Sequence, residues 1–340
     1  MAIHPLLEEA AKELSLPLEH LRGASELSGK LLRGAKDALC VRHPPTQDDD
    51  MDVAVFGSVA RREATSVSDF DFVVVAHHVP RPGRVRITRD LLKGTQQVGE
   101  QLGLSNPGAT GLFGKVLSAP DLTERIGLEQ DSNTNHTRRI LLLQESESVY
   151  VPRLHEELLR SILERYLFDY DPPKEGVPRF LLNDVVRYWR TLAVDYQAKR
   201  WEGFGSSWGL RYLKLIISRK LVYAGTLASV LLTKTATADY FVGQFRMPSL
   251  ARLAQLLPRL DPKEKDALRI ALEVADEFNG KLGDEAFREE AKSIEHRRDV
   301  KSGSDFERCI QRARDLQNAL QVLFFESKVL KERSIKYLSF

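Results

Sequence analysis

The stretch that decides the fold is VAVFGSVARREATSVSDFDFVVVA, Val53 to Ala76. With Met51 and Asp52 ahead of it, it holds two short apolar, largely β-branched runs, 51–58 and 69–76, each bounded by turn-forming residues. That composition predicts two strands. Val59–Ala64 supplies a short helix between them. Along the second strand, alternation puts Asp69 and Asp71 on one face and Phe70 on the other. Two carboxylates in one small space repel unless a cation neutralises them. Hard oxygen donors of this kind suit Mg²⁺ or Mn²⁺, which keep waters and take further ligands from phosphate. Gly57 lets the chain turn tightly after the first strand and brings backbone N–H groups close to an anion. Ser58 offers a hydroxyl, and the helix that starts there favours a phosphate. An Asp-x-Asp alone is commonly a solvated face, and a Gly-Ser alone a turn. On consecutive strands they predict a site for phosphoryl chemistry, in which positioning and charge neutralisation do most of the catalysis.

Gly57-Ser58, ten residues, then Asp69-Phe70-Asp71 resembles the signature of the DNA polymerase β-like nucleotidyltransferase superfamily. Gly57-Ser58-Val59-Ala60-Arg61 and Ser68-Asp69-Phe70-Asp71 are similar to its bacterial branch, which includes minimal nucleotidyltransferases and the nucleotidyltransferase domain of PII uridylyltransferases. Arg62 departs from that branch, which often has glycine there. The resemblance implies an α+β domain, a mixed sheet with flanking helices, over residues 46–150. Within it Asp69 and Asp71 hold the metal, Gly57 and Ser58 hold the triphosphate, and Arg61 assists or is simply a helical surface arginine. Members often carry a third carboxylate on a later strand. The predicted third strand, Gly111–Leu117, has no acid, so the candidates are Asp121, just beyond it, and Asp131; otherwise Asp121 caps a helix over 122–126.

Outside this domain the chain reads as helix. Residues 1–45 form a helical lead-in punctuated by Pro5 and Pro17, with a loop over 43–50. Helices are predicted over 84–102 and 133–145. From 151 to 340 an all-helical domain follows, with breaks at Pro172-Pro173, Gly203–Gly205, Pro248, Pro258 and Gly280–Gly283, a last helix over 305–331 and a tail, RSIKYLSF. A length of 340 residues suits two domains. Cys40 and Cys309 stand in no metal-ligand spacing and fit a reducing cytoplasm. The N-terminus lacks the pattern of a secretory signal. The most apolar run, Leu210–Leu232, carries Arg211, Lys214, Arg219 and Lys220, so it reads as a soluble helix rather than a membrane insertion.

The net charge of +2 hides a basic segment: Arg179–Lys234 has ten Lys or Arg against three acids, which predicts an anionic partner. Because the superfamily typically closes its cleft with a helical domain, the resemblance implies triphosphate contacts from residues such as Arg187, Arg211 and Lys214; the alternative is a solvated face. The histidines read as structural, and Trp189, Trp201 and Trp208 as core or interface residues.

The expected activity is transfer of a nucleoside monophosphate from an NTP or dNTP to a hydroxyl, with release of pyrophosphate. The acceptor is a nucleic acid, a protein, another nucleotide or Tyr337 on the basic tail. In length, domain order and that tyrosine the chain is similar to the nucleotidyltransferases of the Hailong antiphage system. That similarity implies template-independent synthesis of DNA oligomers primed from Tyr337, in antiviral defence, with an operon-encoded effector or toxin as partner. Two alternatives stand beside it: a protein- or tRNA-modifying toxin or regulator, and a non-catalytic, antitoxin-like nucleotide-binding protein.

Overall fold

The computed structural model describes residues 3–47, 49–78, 84–107, 111–168, 176–201 and 208–338. The breaks expected at Pro172-Pro173 and Gly203–Gly205 lie outside the described residues. In chain order the first elements are α1 (Pro5–Glu13), α2 (Glu19–Arg42), β1 (Met51–Phe56), α3 (Gly57–Ala60), β2 (Phe72–Ala76) and α4 (Arg84–Gln101). Then come β3 (Lys115–Ser118), α5 (Ala119–Thr123), α6 (Asn133–Glu145), β4 (Ser146–Ser148) and α7 (Pro152–Tyr166). The remainder is helical: α8 (Arg179–Trp201), α9 (Trp208–Lys214), α10 (Lys220–Leu232), α11 (Ala238–Phe245), α12 (Ser249–Ala254), α13 (Pro262–Gly283), α14 (Glu285–Ser293), α15 (Asp305–Gln321) and α16 (Lys331–Leu338). Two π-helical turns, Leu215–Arg219 and Val322–Glu326, interrupt the runs leading into α10 and out of α15. A small mixed sheet with flanking helices, followed by a helical region, is the architecture the sequence predicts.

Contacts divide the chain into two compact units, the first comprising Ala24–Asp184 and Thr235–Arg246, the second Ala2–Gly23, Val185–Lys234 and Met247–Phe340. In the first, the sheet order is β3-β2-β1-β4; β1 is antiparallel to both β2 and β4, and β2 is parallel to β3. Every residue of β1 and β2 is buried. Phe70, Phe72 and Val74 pack with Leu31, Leu32 and Leu39 of α2 and with Leu91 and Val98 of α4. α4 comes so close that a Cβ on Gly99 would sit 2.7 Å from the Phe70 ring. Burying Phe70 in this way turns its two neighbours toward the opposite face.

Several elements differ from the sequence expectation; α3 spans Gly57–Ala60 rather than Val59–Ala64. β2 starts at Phe72 rather than Asp69, because Asp69 leaves the ladder to bridge Ser105 in parallel. β3 starts at Lys115 rather than Gly111. β4, Ser-Glu-Ser, is a polar edge strand with no apolar alternation to announce it. The last helix ends at Gln321, and the supposed tail is itself a helix, α16.

In the second unit, α13 starts in a capping box between Asp261 and Glu264 and packs on α15. Trp208 is buried, stacked on Tyr212 at 5.0 Å, whereas Trp201 is exposed. Among the described residues, one segment, Trp208–Leu232, is long and apolar enough to cross a membrane, and 61% of its most apolar window is buried in the protein.

Candidate active site

β1 delivers the chain to Gly57, where φ is +70°, a conformation that costs a side-chain-bearing residue about 1–2 kcal/mol. The Phe56 N–H donates to the Asp71 carbonyl at 2.8 Å, which ties the end of β1 to the start of β2. A Cβ on Gly57 would lie 3.3 Å from Asp71 Oδ2, so the missing side chain is what leaves room for that carboxylate. On the other side of Phe70, the Phe70 N–H donates to the Ser105 carbonyl at 2.9 Å and fixes Asp69 at the edge of the sheet. Asp69 is exposed, Phe70 fully buried and Asp71 half-buried, which is the alternation the sequence predicts.

The remaining signature residues differ from expectation in role. α3 is a single turn, so it offers backbone N–H groups and only a small macrodipole. Ser58, expected to donate to phosphate, gives its proton to Ser68 Oγ at 2.9 Å; that same oxygen accepts from the Thr65 N–H at 3.0 Å. Ser58 therefore braces the turn that leads into Asp69. Arg61 is not a phosphate ligand but a buried strut. Its Nε pairs with Glu63 at 2.8 Å, and another guanidinium nitrogen pairs with the fully buried Glu145 at the end of α6. Burial opposes its charge, but the two carboxylates outweigh burial and raise its pKa. Arg62 adopts φ +65°, the conformation the more usual glycine would take freely, and it holds Glu147 of β4 through two contacts of 2.7 and 2.8 Å.

The register rules out Asp121 as a partner for Asp69 and Asp71. Val73 pairs with Lys115 and Ala76 with Ser118, so β3 leads away from the carboxylates toward the far end of β2, roughly 16 Å along the strand. Asp121 lies beyond that end, in the first turn of α5, paired with Arg125 at 3.1 Å. Asp131 is also taken: the fully buried Arg139 holds it at 3.1 and 2.7 Å and, despite burial, keeps its carboxyl below the ordinary value. Among the described residues no group of three or more His, Cys, Asp or Glu side chains is placed to hold a metal. What the register does bring to the carboxylate face is Lys115. Paired residues of a parallel ladder share a face, so Lys115 projects with Val73, and hence with Asp71. Its Nζ lies 3.2 Å from where a Cβ on Gly111 would be. Arg138 donates to the carbonyls of Gly111 and Leu112 at 3.1 and 3.3 Å, which places a second cation at the same loop. Lys115 is not legible in the sequence, because only the strand register assigns its face.

Residues 32–105 match the family model described as the nucleotidyltransferase domain. This segment is similar to the nucleotidyltransferase domain. The match spans the end of α2 through Ser105, the bridge partner of Asp69, and stops before β3. No curated protein matches the chain.

DNA polymerase β-like nucleotidyltransferases typically use divalent metals, and the donor set of the matched segment fits one. Asp69 and Asp71 supply hard oxygens on one face, and Gly57 leaves open space against the Asp71 carboxylate. Lys115 and Arg138 place two positive charges at the loop beside this face. Arg187, Arg211, Lys214 and Tyr337 all belong to the second unit, on α8, α9 and α16. Tyr337 sits half-buried in α16 rather than on a free tail.

The first unit contains a second polar cluster. Asp52 on β1 is buried, accepting from the Val151 N–H at 2.7 Å and the Ser148 hydroxyl at 2.8 Å. Its Oδ2 lies 3.7 Å from His155 Nδ1, and His155 Nε2 is 3.1 Å from Ser146 Oγ. The acid–histidine–serine order suggests a nucleophile, but Ser146 donates its proton to the Leu142 carbonyl at 2.6 Å. The cluster therefore ties β1, β4 and α7 together.

Proposed function

We propose that this protein transfers a nucleoside monophosphate from an NTP or dNTP to an acceptor hydroxyl. The acceptor oxygen forms a bond to the α-phosphorus as the bond from that phosphorus to the bridging oxygen breaks. Pyrophosphate leaves with the electron pair, and the acceptor proton passes to water. The observation that carries this reading is the pair Asp69 and Asp71 on one face, with the side-chain-free Gly57 against Asp71.

Asp69 and Asp71 would hold Mg²⁺ or Mn²⁺, which when bound neutralises the phosphates. Backbone N–H groups at the Gly57 turn approach the triphosphate. Lys115 and Arg138 take a share of its charge, and Arg61, Arg62 and Ser58 hold the turn rigid beneath it.

The acceptor is tested by incubating the protein with nucleotide labelled at the α-phosphate and locating the label. Label on the enzyme that is lost in Tyr337→Phe supports the finer reading implied by the Hailong resemblance, oligomers primed on Tyr337 in antiphage defence. Label on added RNA or on a partner protein supports tailing or protein modification. Nucleotide bound without label transfer to any acceptor, cell extract included, overturns the enzymatic reading in favour of a binding protein.

A further inference from the structure

The second unit contains a cavity of about 550 Å³ between α8, α10, α15 and α16, within the range of small-molecule sites. Its floor is apolar, formed by residues such as Leu227, Leu320 and Phe324. On one wall Trp189 and Tyr223 stack at 5.0 Å and 9°, which presents flat, rigid aromatic surface. The polar groups are unevenly chosen. Lys220 and Arg190 both line the cavity, and no Asp or Glu does among its described lining residues. Lys220 is half-buried, and its one described partner is a neutral amide, Gln317 Oε1 at 2.8 Å. Elsewhere in this unit comparable cations have carboxylates: Arg312 has Glu277 and Lys281 has Asp305. Burial pushes the Lys220 ammonium down, the cost expected of a cation taken from water without a counter-ion.

A second, independent feature marks the same cavity. Of the two π-helical turns among the described residues, one lines it and the other adjoins a lining residue in sequence. Leu215–Arg219 directly precedes Lys220, and Val322–Glu326 contributes Phe324 and Phe325. Such turns are rare and are frequently found at functional sites.

We propose that this cavity binds an amphiphilic anion, an aliphatic or aromatic body carrying one carboxylate or phosphate. The head group lies at Lys220 and Arg190, and the body lies on the apolar floor against the Trp189–Tyr223 wall. The site is made within the second unit and is independent of nucleotidyl transfer.

Calorimetric titration of the full-length protein with octanoate, octyl phosphate, 1-octanol and octylamine tests this. Octanoate or octyl phosphate binds at least about tenfold more tightly than 1-octanol, the size expected of one charge-assisted contact, and octylamine does not bind. The tighter of the two anions names the head group. Arg190→Gln, at an exposed position that leaves the fold intact, and Lys220→Met each remove that preference, and Leu227→Trp fills the cavity and abolishes binding. Equal binding of anion and alcohol, absence of binding by both anions, or unchanged anion binding in Arg190→Gln and Leu227→Trp overturns the proposal.

Discussion

Gly57 and Asp71 stand in tight apposition: a Cβ on Gly57 would lie 3.3 Å from Asp71 Oδ2, a contact the carboxylate relieves only by giving way by a few tenths of an ångström, at a backbone φ of +70°. Gly57→Ala therefore strains the turn and displaces the carboxylate together. The expected outcome is a stability loss of about 1–2 kcal/mol with a several-fold fall in transfer rate, smaller than the roughly 10²-fold that a ~1 Å misplacement costs. Thermal unfolding and kcat measured on the same preparation check this; a variant that loses stability but keeps its rate would separate the glycine from the site.

Arg61 gives a contrast between anchoring and binding. With its guanidinium buried against Glu63 and Glu145, Arg61→Met leaves Glu145 charged, buried and without its arginine. A loss of about 3–5 kcal/mol follows, read as a lower urea midpoint. A phosphate ligand would behave oppositely, with KM for nucleotide raised and the midpoint unmoved.

Lys115 is exposed, and its face is set by pairing with Val73. Lys115→Ala is expected to raise KM for nucleotide by about tenfold, the worth of one charged contact to phosphate, with thermal stability within about 0.5 kcal/mol of wild type. An unchanged KM would remove Lys115 from the triphosphate site.

The parts of this site readable in sequence were those with a short-range pattern. Asp69 and Asp71 at strand spacing, with Phe70 between them, fixed the face, and Gly57 marked the turn. The parts that misled depend on residues far apart in the chain. Arg61 looked available because its partner Glu145 lies 84 residues away. Asp121 looked like a third ligand because it follows β3 in sequence, yet a parallel pairing carries the end of β3 away from the carboxylates. β4 had no apolar alternation to betray it, and α16 looked like a tail because its helix is short and highly charged.

The buried pair Asp52 and His155 makes opposite demands on pH. Burial pushes Asp52 up to about 6, so the folded state keeps a proton that the unfolded chain has lost above its ordinary pKa of 3.8. Its contribution to stability falls as pH rises through that window. Burial pushes His155 down to about 4, so the unfolded chain binds a proton below 6.5 that the folded state refuses. Its contribution falls as pH drops. In the wild-type protein the two slopes cancel between about pH 4 and 6. Asp52→Asn leaves stability rising with pH across that window and His155→Gln leaves it falling, each by up to about 1.4 kcal/mol per pH unit. Urea midpoints across the window read both signs; parallel slopes in the two variants would contradict the assignment.

The most direct test of the central claim is pyrophosphate release from each NTP and dNTP with Mg²⁺ or Mn²⁺. Wild type is compared with Asp69→Asn, Asp71→Asn and the double variant, each shown by thermal unfolding to be folded. Metal-dependent release by wild type that falls to background in all three variants is the predicted result. Release persisting at the wild-type rate in the double variant would contradict the assignment of Asp69 and Asp71 as the site of nucleotidyl transfer.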